Sequence, residues 1–118
     1  MTRHPAPSEP DPTQSEAVTL INVFEIDHEQ VESFLQGWRE RADFMSKQPG
    51  FRSFRLHRAL SSDSRFQLVN VAEWDSADAL GAATAQDEFQ QSIRRSMQDF
   101  AVIGHPAIYR VAVDVTAE

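Results

Sequence analysis

"RFQLVNVAEWDS", residues 65–76, alternates residue types with a period of two and then breaks into helix-capping residues. One alternating set, Phe66, Leu68, Asn70, Ala72 and Trp74, is an apolar stripe with an amide at its centre, while Val69 and Val71 lie on the opposite side. Such alternation marks a β-strand, and Asp75 or Ser76 then starts a helix. An amide where the pattern asks for a hydrophobe is costly once buried, so Asn70 needs a reason.

Working outward, "FRSFRLHRAL" at 51–60 is a second strand, joined to this one through the polar turn "SSDS" as a hairpin. Upstream, "AVTLINVFEI" at 17–26 places Val18, Leu20, Asn22, Phe24 and Ile26 on one face and Thr19, Ile21, Val23 and Glu25 on the other. Asp27 is the expected cap of a helix, with Gln30 at the capping-box position. Val31, Phe34, Leu35, Trp38, Ala42 and Met45 then follow helical spacing to about Gln48, and "PG" at 49–50 ends the run. Downstream, 76–100 reads as helical with a break near Thr84, and Phe89, Ile93, Met97 and Phe100 form its apolar stripe. "GHP" at 104–106 is the expected stop, leaving "AIYRVAVDV" at 107–115 as the last strand.

The order β-α-β-β-α-β is an α+β, ferredoxin-like split pattern, with an antiparallel sheet ordered 4-1-3-2 and both helices on one face. The strands are apolar on both sides: Ile21 and Val23 oppose Leu20 and Phe24, and Tyr109, Val111 and Val113 share one face. A sheet of that kind needs a second cover, and the economical one is the same sheet of another copy, a sheet-to-sheet homodimer.

The 118 residues, 41% hydrophobic, suit one domain at 17–116. Residues 1–16 hold four of the six prolines and almost no large apolar group, so a disordered arm is expected there. A formal charge of −7 argues against a nucleic-acid partner. No apolar run approaches a membrane span or the core of a signal peptide, and there is no cysteine, so a cytoplasmic protein without disulfides is expected.

In this sheet order the first and third strands are neighbours, and Asn22 and Asn70 interrupt matching stripes. Two buried amides on adjacent strands either satisfy each other or line a cavity that holds something polar. Trp74 closes the same stripe with an indole N–H that also wants an acceptor. Arg94 and Arg95 are adjacent on the helix that covers the sheet; either both are solvated, or Arg94 leans in and supplies a cation for an enolate, phenolate or peroxide.

These features resemble the antibiotic biosynthesis monooxygenase family, dimeric α+β barrels, over residues 17–115. The likeness lies in the element order, in "PGF" opening the second strand, and in "NVAEWDSADAL" at 70–80 with its Trp-Ser hallmark. It implies a cofactor-independent oxidation of an electron-rich aromatic (a phenol, anthrone or quinol) with O2 as co-substrate. Asn70, Trp74 and Arg94 would be catalytic, with Asn22, His57, Phe66, Leu68, Ala72 and Ile93 near the substrate. Where the aromatic-polyketide oxygenases of the family carry a Tyr, this chain has Leu80. The haem-degrading branch uses a proximal His on the second helix, and "DEFQQSIRRS" has none, which disfavours haem of that kind.

The four histidines, His4, His28, His57 and His105, show no metal-ligand spacing, so no metal site is expected. His57 is a candidate general base, sharing a strand face with Phe51, Ser53 and Arg55. Arg52, Arg55 and Arg58 are expected to pair with carboxylates such as Glu25 or Glu73. Two other readings stand beside the oxygenase: a non-catalytic dimer that holds a small aromatic, and a haem binder using His57 or His105.

Overall fold

The structure, a computed structural model, describes residues 16–118. The arm expected at 1–16 lies outside the described residues except for Glu16, whose carboxylate accepts a hydrogen bond from Arg110 at 3.1 Å.

Four strands form one antiparallel sheet: β1 Val18–Glu25, β2 Phe51–Arg58, β3 Leu68–Trp74 and β4 Ile103–Tyr109. Their order, β2-β3-β1-β4, is the expected one. Three helices cover a single face: α1 Val31–Ser46, α2 Ala77–Thr84 and α3 Asp87–Asp99. The helical region after β3 does break near Thr84. Gln86 is extended there, and Asp87 and Glu88 restart the helix where its dipole favours negative charge. Ser76, not Asp75, caps α2, its hydroxyl accepting from the Ala79 amide at 3.0 Å.

The capping box expected at Asp27 does not form. A 3-10 turn at His28–Gln30 leads into α1, Asp27 makes no side-chain cap bond, and Gln30 Oε1 is buried without a partner. Val31, the first residue after the turn, and Phe34 are both essentially fully buried.

Two stretches distant in sequence lock together at one end of the sheet. Gly50 has φ +88°, a left-handed conformation that glycine tolerates, and an added Cβ would sit 2.5 Å from Ala79 Cβ. Its carbonyl accepts from the Asp75 amide at 2.7 Å, and Asp75 in turn pairs with Arg52 at 2.5 Å. The glycine of "PGF" therefore seats the start of α2. At the other end of the hairpin, Gln67 is buried and its Nε2 donates to the carbonyls of Ser61, Ser62 and Ser64, which shapes the "SSDS" turn.

The last strand departs from expectation. It spans Ile103–Tyr109, so the Gly and Pro that read as a stop lie inside it. β4 pairs only with β1, and an edge strand tolerates Pro106 because one row of its amides needs no partner. Gly104 opposes Phe24, and a Cβ there would crowd Asn22 Oδ1 and the Phe24 ring at 3.2 Å. Pairing ends at Tyr109 opposite Thr19, near the start of β1, so Val111, Val113 and Val115 leave the sheet and are exposed.

The inner face carries two apolar clusters. Val18, Ala72, Trp74, Leu80 and Ala83 form one; Phe24, Ile26, Val31, Phe34 and Leu68 form the other. Asn22 and Asn70 are register partners on β1 and β3, and they fall between the two clusters. The opposite face, with Ile21, Val23, Val69 and Val71 half-buried and Tyr109 exposed, has none of the three described helices over it.

Candidate active site

A cavity of about 360 Å³ opens where the two clusters part, a volume suited to one small organic ligand. Asn22 and Asn70 are in its wall, with Leu20, Ala72 and Trp74 from the same strands. Helix α1 contributes Trp38, Arg41, Ala42 and Met45, and α3 contributes Phe89, Ile93, Ser96 and Met97. Gly104 and Pro106 bring the backbone of β4 to the wall.

The two amides do not satisfy each other. A hydrogen bond between them would need one carbonyl oxygen as acceptor, and Oδ1 of Asn22 and Oδ1 of Asn70 are both buried without a partner among the described residues. Trp38 Nε1 is a third buried, unpartnered polar atom in this wall. Each such group costs about 1–3 kcal/mol of stability. Amides placed for stability alone would have been paired.

Arg41 is the cation of the cavity. It sits in the apolar stripe of α1, three residues after Trp38 and four before Met45, and is 8% exposed. Its Nη1 donates to Ser96 Oγ at 2.5 Å and to Ser92 Oγ at 3.3 Å, both on α3. Its Cζ lies 5.4 Å from the Phe34 ring centre and 5.6 Å from that of Trp38, which are cation–π distances. Burial pushes its pKa below the ordinary arginine value; Glu40 opposes that shift and Arg95 adds to it. A guanidinium remains charged even so.

Of the expected site residues, Asn22, Asn70, Ala72, Trp74 and Ile93 meet in the cavity. The others lie elsewhere. Arg94 and Arg95 are both exposed, because the inward row of α3 is Phe89, Ser92, Ile93, Ser96 and Met97, and helical rotation turns 94 and 95 to solvent. Leu68 is buried in the Phe24–Phe34 cluster. Phe66 packs against His105, ring centres 5.7 Å apart, and under Arg65. His57 is exposed on the outer face, opposite Val69, with its Nδ1 3.4 Å from the Val69 carbonyl. A β-bulge between Phe51 and Ser53 explains the misplacement: it turns Phe51 and Phe54 to the cavity and leaves Ser53, Arg55 and His57 on the other side.

His105 is also on the outer face, its Nε2 bonded to Glu25 Oε2 at 2.7 Å. That bond, with a second from Arg65, holds the Glu25 carboxyl below the usual glutamate value. The arginines of β2 use other partners than expected: Arg52 pairs with Asp75 and Arg58 with Glu32, while Glu73 accepts from Thr19 at 2.8 Å. Among the described residues Arg41 is the one titratable residue lining the cavity, and no histidine lines it. Among the described residues no three His, Cys, Asp or Glu side chains converge as metal ligands.

Arg41, Ser92 and Ser96 are polar residues at inward helical positions, a signal masked by the strong apolar stripes of both helices. Trp38, on the apolar stripe of α1, is part of the wall.

The family model for antibiotic biosynthesis monooxygenases matches residues 17–95. A solved structure from Shewanella loihica PV-4, described as a candidate monooxygenase, is 34% identical, with 86% of this chain and 99% of that chain covered and a TM-score of 0.69. SnoaB, a cofactor-independent oxygenase from Streptomyces nogalater, is 24% identical over the same shares, with a TM-score of 0.73. A Deinococcus radiodurans protein described as a candidate antibiotic biosynthesis monooxygenase is 14% identical, covering 86% and 98%, with a TM-score of 0.70. No curated protein sequence matches significantly.

Proposed function

The chain belongs to the antibiotic biosynthesis monooxygenase family, and from that premise we propose that it oxidises an electron-rich aromatic with O2 and no cofactor. The observation that carries this reading is the pair of unpaired amides, Asn22 and Asn70, in the wall of an otherwise apolar cavity that Trp74 also lines.

An anthrone-type CH2 beside a phenolic ring gives up its proton to solvent before it enters the cavity, as its enolate, and the delocalised carbanion can itself donate an electron to O2. The carbon–oxygen bond then forms, giving a peroxide anion that regains a proton from solvent, and loss of water from it leaves a carbonyl. The sum is CH2 plus O2 to C=O plus H2O, with no outside reductant. The chain's part is to hold the ring away from water, with Asn70 and Trp74 at the developing oxyanion and Asn22 orienting the ring. Arg94 has no part in this scheme, being on the solvent face. His57 is likewise too poorly placed to act as base. The test is O2 uptake by the purified protein with anthrones and hydroquinones: Asn70→Ala is expected to abolish it with the fold intact, and unchanged uptake would overturn the assignment.

The aromatic lining, with Phe24, Phe34, Phe51, Phe54 and Phe89 around the cavity, supports a second reading, a dimer that binds a small aromatic without chemistry. A binder consumes no O2. The haem reading loses support because neither His57 nor His105 lines the cavity.

We further propose that the outer face is covered by a second copy, sheet against sheet, at Ile21, Val23, Val69 and Val71. These apolar side chains are only half-buried in one chain, and Tyr109 remains 45% exposed. The same cytoplasmic setting expected from the sequence suits such a dimer, and no helix among the described residues is long and apolar enough to cross a membrane.

A further inference from the structure

We propose that Arg41, held by Ser92 and Ser96, is an anion subsite, and that the cavity takes its aromatic ligand already ionised at an oxygen. This deepens the reading of the cavity as a substrate site and rests on it, yet it does not depend on oxygenation taking place there.

The first support is the charge balance. A buried guanidinium ordinarily faces a carboxylate, since an uncompensated buried charge is strongly destabilising. Among the described residues Arg41 has no ion-pair partner within 4 Å, and its hydrogen bonds go to two neutral hydroxyls. The flanking Phe34 and Trp38 rings hold the group in place but do not neutralise it.

The second support is the donor count. A guanidinium has five N–H donors in a fixed fork. Among the described residues both bonds of Arg41 are made by Nη1, which leaves the edge formed by Nη2 and Nε with its two parallel donors. That edge is the one that grips two oxygens side by side. The serines, one helical turn apart on α3, fix the other edge and so orient this one.

The third support is the rest of the lining. Among the described residues Arg41 is its one titratable member, so none of them takes a proton from a weakly acidic phenol. A ligand that arrives ionised needs no base, and its negative charge faces a guanidinium that has no ion-pair partner among the described residues. The chemistry shared by suitable ligands is an anionic oxygen on a planar ring system, either an acidified phenol (an enolised diketone behaves alike) or an aryl carboxylate.

Isothermal titration calorimetry separates these sources. The full chain is titrated with 2,4-dinitro-1-naphtholate and its methyl ether, and with 2-naphthoate and its methyl ester. Either anion is expected to bind about tenfold or more tightly than its neutral counterpart, the size of one charge-assisted hydrogen-bond pair. A preference limited to the naphtholate assigns the site to phenolates, and one limited to the naphthoate assigns it to carboxylates. Arg41→Leu is expected to remove the preference and to retain binding of the neutral compounds; Arg41→Lys is expected to keep part of it. Should Arg41→Leu fail to fold, the wild-type chain serves with 4-nitrophenol, which ionises near neutral pH: its affinity is expected to fall as pH drops through the ligand's own pKa while that of 4-nitroanisole stays level. Equal binding of anion and neutral counterpart, a preference that survives Arg41→Leu, or binding of neither anion would overturn the proposal. Anion binding without O2 uptake would remove the oxygenase reading and leave the subsite standing.

Discussion

Replacing Asn70 by leucine is expected to make the protein more stable. Asn70 is 6% exposed, its Oδ1 has no partner, and it interrupts an apolar stripe between Leu68 and Ala72. Leucine removes an unsatisfied carbonyl worth about 1–3 kcal/mol and adds apolar surface, its extra volume entering the adjoining cavity. Some of that gain is offset by imperfect packing, so a net stabilisation of about 1–2 kcal/mol is expected. For a domain of this size it corresponds to a rise in Tm of about 3–8 °C. Equilibrium urea unfolding at fixed protein concentration, with an unchanged slope, measures it. The sign is the informative quantity. Were Asn22 and Asn70 bonded to each other, leucine would orphan Asn22, and the variant would lose about 1–3 kcal/mol. Destabilisation of that size would refute the view that the amides are kept for the cavity at the expense of stability.

Gly50→Ala is expected to destabilise by about 2 kcal/mol or more, since φ +88° and a 2.5 Å approach to Ala79 Cβ both oppose a side chain; thermal unfolding reads it. Glu25 provides a pH test with a definite sign. Its folded pKa is lowered by His105 and Arg65, so its contribution is present above the ordinary glutamate pKa and is lost as pH falls through the lower folded value. Glu25→Gln is therefore expected to flatten the acid limb of the stability–pH curve; an unaltered limb counts against the His105–Glu25 contact. Val71→Arg, on the outer face of β3 opposite Ile21, is expected to convert dimer to monomer in sedimentation velocity. A wild-type chain that is already monomeric at micromolar concentration contradicts the sheet-to-sheet assembly.

The fold was legible because period-two stripes and helical spacing are long-range regularities that burial enforces. The break near Thr84 and the order β2-β3-β1-β4 followed from them, while the sequence leaves the cap between Asp75 and Ser76. What failed was local. Gly104 and Pro106 signal a stop in isolation, but an edge strand passing close to Asn22 and Phe24 accommodates them. The bulge at Phe51–Ser53 reverses one strand's faces, and no composition rule marks it, so His57 was assigned to the wrong side. The cavity's amides were visible as interruptions of a stripe. Its cation, Arg41, interrupts the stripe of α1 in the same way, between Trp38 and Met45, whereas Arg94 and Arg95 lie beside the stripe of α3 and face solvent. Interruptions of an apolar stripe proved better guides to the wall than charged residues beside one.

The central claim is oxygenation without a cofactor. Its most direct test incubates the chelator-treated protein with an anthrone under isotopically labelled O2, beside a protein-free control. The account predicts O2 consumed one-to-one with quinone formed, label in the new carbonyl, and a rate above the control that disappears in Asn70→Ala. Product formation no faster than in the control, across anthrones and hydroquinones that bind the cavity, would contradict it.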